Sequence, residues 1–298
     1  MRLFVFNPWH DEALAADTPY YTPTKAARLI EERERDVMRR WMADGDILLR
    51  SWTASPLTGG REEDFWDSIE SIEPWGWDKL LRHRLLRIGA PERLLPNDEY
   101  LNKLRTLSSR ATACELLRRI RNNVPDTIGE ACICSTIEDA IEAVAHFGDA
   151  VLKAPWSCSG RGVFRAKGGL SGRELNRAQK ILREQGGIAV ERYIPDGRDF
   201  AMLFDYRDGQ AHYSALSVFE TSPDGTYLRN LPGSEEELLQ HLSPPMETFH
   251  AVRVAIEEEL PRLLGTSYSG PLGIDMLLSN AKIYPAMEIN LRRTMGMK

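Results

Sequence analysis

Apolar residues fall into short runs separated by polar, Gly/Pro-rich punctuation, and the spacing within each run predicts the elements. Leu3 to Phe6 is an apolar run that reads as a strand. The polar stretch Asn7-Pro8-Trp9-His10-Asp11-Glu12 follows it, and helical spacing begins at Ala13. Thr24 to Ala43 predicts a helix, Asp46 to Trp52 a strand, and Lys79 to Ile88 a helix stopped by Gly89, so residues 1–95 form a small α/β N-terminal domain. Trp75 and Trp77 more simply fill a core than form a site. Asn97 opens a helical connection over 96–122, within which Ser108 or Ser109 caps SSRATACELLRRI. From Val124 the pattern reads strand, helix, strand, helix, strand, with capping boxes at Ser135/Glu138 and Ser171/Glu174 and stop signals at Gly148 and Gly186. That makes 123–193 a compact α+β lobe. Within 194–298, Phe200–Tyr206 and Ala211–Phe219 read as a hairpin across Asp208-Gly209, followed by a long polar loop over Glu220–Glu236. A helix within Ser243–Leu264, interrupted or ended near Pro261, precedes two strands, Ile274–Leu278 and Lys282–Asn290, joined by a polar turn.

Those last two strands carry the first candidate chemistry. Side chains alternate faces along a strand, so Glu288, Asn290 and Arg292, each two residues from the next, share a face. Asp275 lies on the partner strand. Mg2+ takes oxygen ligands and usually combines one or two carboxylates with substrate phosphates, so Asp275, Glu288 and Asn290 suit a metal-nucleotide site. An amphipathic hairpin with a solvated acidic face explains the same residues. A second stretch, AVLKAP over Ala150–Pro155, reads as a buried strand with one lysine, Lys153, followed by a loop containing Ser157, Ser159, Gly160 and Gly162. Such a loop lets backbone N–H groups approach an anion closely, while the lysine supplies a point charge. A third stretch, Ile188–Phe200, places Glu191 and Asp199 around a Pro-Asp-Gly turn.

In this order, a strand lysine before a Ser/Gly loop, a V-E-x-x-I segment, an acidic strand and E-x-N-x-R, the motifs resemble the ATP-grasp superfamily, to which glutathione synthetase and biotin carboxylase belong. The resemblance covers roughly Leu107–Gly296. It implies an α/β N-terminal domain followed by an α+β fold whose two lobes clasp ATP: 123–193 as the lid and 194–298 as the metal-binding part. By resemblance, Lys153 serves the α- and β-phosphates, the loop amides from Ser157 to Gly162 the β- and γ-phosphates, Glu191, Arg192 and Ile194 the adenine edge, and Asp199 the ribose. Asp275, Glu288 and Asn290 hold Mg2+, for which Mn2+ can substitute. Arg292 would hold the γ-phosphate or neutralise charge at the acyl carbon. Arg110, in the first turn of its helix where the dipole disfavours a cation, implies a nearby anion. The family usually places a lysine near this point to reach the phosphates; a surface arginine explains it equally. Leu291 stands where relatives often have proline, and Gly273 where some have arginine. The resemblance implies a ligase that joins a small carboxylate to an amine (amino acid or peptide) through an acyl phosphate. A grasp-fold kinase and a non-catalytic nucleotide-binding regulator are the alternatives. The chain stops at Lys298, directly after this motif, where relatives commonly continue, which suggests a truncated or short member.

Composition narrows the classes further. The net charge is −6, with 38 basic against 44 acidic residues, and no basic stripe interleaves with aromatics, which disfavours nucleic acid. Glu31/Arg35 and Asp36/Arg40 are at i,i+4 spacing, as on a solvated helix face. Four cysteines suit a reducing compartment, and Cys132-Ile133-Cys134 lacks the usual zinc spacing, which leaves strand packing. No signal peptide and no apolar run of about 18 residues is visible, so the expectation is a cytoplasmic protein without a membrane partner; a homodimer is left open. Walker, dinucleotide, H-E-x-x-H and G-x-S-x-G motifs are missing from the sequence. His10, Asp11, Tyr20 and Tyr21 follow the first strand, where open α/β sheets bind ligands, and are candidate substrate contacts; caps and packing explain them as well.

Overall fold

The computed structural model describes residues 1–52, 62–157, 162–222 and 227–297, and residues 62–64 only in their backbone. The chain forms two compact units, Met1–Arg105 and Thr106–Met297.

In the first unit, β1 (Arg2–Val5) is flanked by β2 (Ile47–Leu48) and β3 (Ser71–Pro74) in a parallel sheet. Helices α1 (His10–Ala16), α2 (Lys25–Glu34), α3 (Glu62–Ser68) and α4 (Lys79–Arg87) accompany it. Leu3 and Val5 pack with Leu81, Leu85 and Ile88 of the α4 region in one core. The helix expected over Thr24–Ala43 ends at Glu34 and tightens into a 3-10 turn over Arg35–Trp41. The predicted strand Asp46–Trp52 shortens to two residues. Glu31 is not on a solvated face: it is buried, accepts from Trp52 Nε1 at 2.9 Å, and faces Arg35 at 3.5 Å. Asp36 pairs with Arg39 and Arg50. Trp75 is buried edge-on to Phe6, and Trp77 packs on the core.

Helix α5 (Asp98–Leu107) leads to the second unit, which opens with α6 (Arg110–Asn123), capped by the Ser109 side chain. An antiparallel sheet follows, in the order β4 (Ala131–Cys134), β7 (Ile188–Arg192), β5 (Asp149–Lys153), β6 (Val163–Lys167). Helices α7 (Ile137–Phe147) and α8 (Gly172–Gln185) close a core of Ala140, Val144, Ala178 and Ile181 against Leu152, Ile188 and Val190. Four details differ from the sequence reading. The lobe has a β5–β6 hairpin in place of one strand, and its first strand starts at Ala131. Its first capping box is Thr136/Asp139, one residue along, and Ser171 caps α8 without a side-chain hydrogen bond. The capping-box shift is a choice between the adjacent hydroxyls of Ser135 and Thr136.

The second sheet of this unit is antiparallel, in the order β10 (Tyr227–Asn230), β9 (Gln210–Thr221), β8 (Arg198–Arg207), β11 (Gly270–Ser279), β12 (Lys282–Asn290). Asp208 and Gly209, both at positive φ, make the β8–β9 turn, and Asn280 and Ala281, also both positive, make the β11–β12 turn. Helix α6 packs on β12, and α10 (Met246–Leu264) packs on α6 and β9. The segment expected as a loop contains β10 and leads into α9 (Glu235–Leu242), whose capping box is Ser234/Glu237. Pro261 does not interrupt α10 but lies in its last turn, and the helix ends close by at Leu264. No helix among the described residues is long and apolar enough to cross a membrane.

Candidate active site

Lys153 closes β5 and Glu191 nearly closes β7, and antiparallel pairing brings these two strands side by side. Their side chains meet at 2.6 Å, the lysine 9% and the glutamate 5% exposed, so this is a buried ion pair. Residues 154–157 then turn away from the sheet over the start of α6. Arg110, the first residue of that helix, ties the turn down: its backbone N–H donates to Pro155 O, its Nε to Ala154 O and its Nη2 to Ser157 Oγ, each at 3.1 Å. Arg110 Nη2 also lies 3.1 Å from Glu288 Oε2. The anion implied by a cation in a first helical turn is therefore a carboxylate of the chain itself. Through this one guanidinium, the lysine strand of the first sheet and the acidic strand of the second meet.

On the second sheet, Asp275 and Glu288 are directly paired across β11 and β12, as are Gly273 and Asn290. Asn290 Nδ2 donates to Asp275 Oδ2 at 3.2 Å, which leaves the amide oxygen free in direction to serve a cation. Burial, reinforced by the Glu288 carboxylate, pushes Asp275 up to about 7, against the pull of Arg292, the Asn290 amide and Arg110. Two carboxylates that cannot both ionise comfortably, paired across β11 and β12, suit a divalent cation, which would restore charge balance. Among the described residues no group of three or more His, Cys, Asp and Glu is placed to hold a metal, so the set here is two acids and one amide. Strand alternation reaches only to Asn290, where β12 ends. Arg292 lies beyond it, with Nη1 donating to Arg293 O at 3.1 Å, yet its charge still acts on Asp275.

The remaining candidates are placed as follows. Asp199, on β8, accepts from Thr221 Oγ1 at 2.6 Å; burial raises it above the usual aspartate range, while Lys153 pulls it down. Arg192 has its N–H committed to Glu130 O and its side chain to the Glu130 carboxylate and Phe147 O, so of its backbone only the carbonyl is open to a ligand. Ile194 follows the end of β7, half-buried. Gly162 has a φ of +76°, and a Cβ there would be 3.0 Å from that of Ala154, so the loop closes only on a glycine. Ser159 and Gly160 lie outside the described residues. His10 is buried, with Nδ1 3.4 Å from Asp78, and Asn7 donates to the same carboxylate, so His10 is enclosed by protein. Tyr21 OH donates to Glu12 at 3.0 Å, while Tyr20 is exposed against His83.

Two residues of the site escape sequence reasoning. Thr221 orients Asp199, but the β8–β9 register carries a bulge that no alternation pattern reveals. Tyr284, on β12, has its hydroxyl buried without a hydrogen-bond partner, and Glu191, Cys114 and Arg110 are near enough to act on it electrostatically. An orphaned buried hydroxyl beside the lysine-bound glutamate is a polar group that a ligand could satisfy.

No family model and no curated protein matches the sequence. Solved structures do match its fold. The chain aligns over 99% of its length with N5-carboxyaminoimidazole synthetase from Staphylococcus aureus complexed with ADP, covering 71% of that chain at 12% identity and a TM-score of 0.53. It aligns over 98% with a biotin carboxylase–β-γ-ATP complex from Campylobacter jejuni, covering 66% of that chain at 16% identity and a TM-score of 0.55. It also aligns over 97% with D-alanyl-alanine synthetase A from Vibrio cholerae, covering 87% of that chain at 13% identity and a TM-score of 0.51. The chain has the ATP-grasp fold. In ATP-grasp terms, the four motifs that carried the resemblance all lie in the Thr106–Met297 unit, and Arg110 joins two of them.

Proposed function

We propose that this chain is an ATP- and Mg2+-dependent ligase that joins a carboxylate to an amine through an acyl phosphate, with ADP as product. The observation that supports it most is the Arg110 bridge: one buried guanidinium links the Lys153 strand and Ser157 to Glu288, beside Asp275 and Asn290. Cation and acids thus lie side by side, and a triphosphate with its metal requires both. The fold it shares with proteins solved with ADP and with an ATP analogue supports the same reading.

In this reading, residues 123–193 act as lid and 194–298 as the metal-binding part, with the small N-terminal domain over 1–95. Lys153 and Arg110 meet the phosphates, with the Ser157 and Gly162 amides as further donors. Glu191, Arg192 and Ile194 border the adenine, and Asp199 the ribose. Asp275, Glu288 and Asn290 would hold Mg2+, which would supply charge neutralisation to the phosphates. A phosphate would compete with Glu288 for Arg110, freeing that carboxylate for the metal. Arg292 offsets charge where the substrate carboxylate attacks the γ-phosphorus and ADP leaves. The amine then attacks the acyl carbon, phosphate departs, and the amine loses its proton.

Incubation of the protein with ATP, Mg2+, hydroxylamine and a panel of amino acids and short peptides tests this. The expected result is acid-dependent ADP and a trapped hydroxamate. ADP with a product stable to hydroxylamine would indicate a phosphotransferase, and no ADP in any mixture would overturn the catalytic reading. Glu288→Ala is expected to reduce turnover more than MgATP affinity.

A further inference from the structure

Arg110 is fixed at one end and exchangeable at the other. Its backbone N–H on Pro155 O and its Nε on Ala154 O anchor it beneath the end of the lysine strand. The far edge of the guanidinium is arranged differently. Nη2 donates to Ser157 Oγ and lies 3.1 Å from Glu288 Oε2, while Nη1 makes no hydrogen bond among the described residues. An arginine fork binds phosphate through two parallel N–H groups, so the Nη1/Nη2 edge can take one while Nε stays on Ala154 O. The contact displaced at Nη2 is then Glu288, whose side chain is 31% exposed against 6% for Arg110. The carboxylate is therefore the partner free to move.

This exchange bears on the metal. A divalent ion held by Asp275, Glu288 and Asn290 has to share Glu288 with the guanidinium, and Asp275 also feels the Arg110 charge. Positive charges a few ångströms apart repel strongly where water is scarce. With Arg110 on Glu288, a bare divalent ion thus meets a ligand already matched in charge. A polyphosphate reverses both terms, because it draws off the Nη2 contact and brings negative oxygens of its own as further ligands.

We propose that Arg110 is a positioning residue that makes metal binding follow nucleotide binding: it holds Glu288 until a phosphate occupies the Nη1/Nη2 edge, and releases it as a ligand only then. This order rests on the nucleotide reading of the site and adds its regulation, since a bare ion does not fill the site ahead of the nucleotide. Coupling of this kind is reciprocal, so the metal strengthens nucleotide binding by the same factor.

The test measures Mn2+ binding to the nucleotide-free chain by electron paramagnetic resonance of the free ion. Wild type is expected to bind Mn2+ weakly, and Arg110→Gln to bind it at least about tenfold more tightly, a gain that a merely structural arginine would not give. Arg110→Lys keeps the charge and is expected to stay near wild type. Adding Glu288→Gln to Arg110→Gln is expected to abolish the gain, which assigns it to this carboxylate. Hydrogen exchange on the unaltered chain gives a second measurement that needs no variant to fold: Mn2+ alone is expected to leave β11 and β12 unprotected, and Mn2+ with ADP to protect them. An Arg110→Gln chain, folded by circular dichroism, that gains no Mn2+ affinity overturns the proposed order. Protection of β11 and β12 by Mn2+ alone overturns it too. If Mn2+ with ADP also fails to bind the wild type, the nucleotide reading itself falls, so the two failures are distinct.

Discussion

At the scale of single residues, the buried pair Lys153–Glu191 carries the largest expected effects. Removing one partner of a buried ion pair leaves an uncompensated charge and costs roughly 3–5 kcal/mol. Lys153→Met is therefore expected to destabilise the protein by about 3 kcal/mol in urea unfolding, and Lys153→Met/Glu191→Gln to recover most of it. In the double variant, MgATP binding is still expected to be weakened at least about tenfold by calorimetry, since a charged contact to phosphate is lost. Unchanged MgATP affinity would contradict the phosphate role of the lysine. The thiols differ just as sharply. The hydrogen bond shared with Cys134 holds Cys132 below the usual thiol range, while burial pushes Cys114 up to about 12. The thiolate is the reactive form, so iodoacetamide labelling of Cys132 is expected to rise at lower pH than that of an ordinary thiol, with Cys114 unlabelled over the same range. Mass spectrometry of peptides from the labelled protein reads both.

Elements impose their own constraints through turns that only particular residues fit. Gly129, just before β4, has a φ of +102°, and a Cβ there would come within 2.7 Å of the Tyr284 ring. Its carbonyl accepts from Arg121 at 2.7 Å, fastening the end of α6 to the chain just before β4. Gly129→Ala combines backbone strain with overpacking and is expected to cost about 2–4 kcal/mol in denaturant unfolding. A cost below about 1 kcal/mol would mean that Tyr284 moves freely aside. The hairpins behave in the same way: Asp208-Gly209 announces its turn in sequence, whereas Asn280-Ala281 uses a non-glycine residue at φ +56° that no turn rule predicts.

For the whole molecule, two units with separate cores contribute unequally to the proposed site. All of its described residues lie in Thr106–Met297. MgATP that binds only the folded state stabilises by about 2.7 kcal/mol at one hundred times Kd. Hydrogen exchange with and without MgATP is expected to show slowed amides in α6, β5, β7, β11 and β12, with the β1–β3 sheet unaffected. Protection confined to the Met1–Arg105 unit would refute the site.

Much of this was legible in the chain because it is local. Strand alternation put Glu288 and Asn290 on one face; Ser109 bears cap chemistry that a neighbouring backbone amide alone satisfies; and Gly162 and Gly209 mark turns at a positive φ that glycine adopts without strain. Charge at a helix start even implied that Arg110 faces an anion. What the sequence left open depends on which strands become neighbours. The pairing of Lys153 with Glu191, of Arg110 with Glu288 and of Thr221 with Asp199 joins residues far apart in the chain, across registers that bulges shift. Those partners are chosen by burial of two sheets and the helices upon them, a property of the whole packed unit, and no local pattern encodes it.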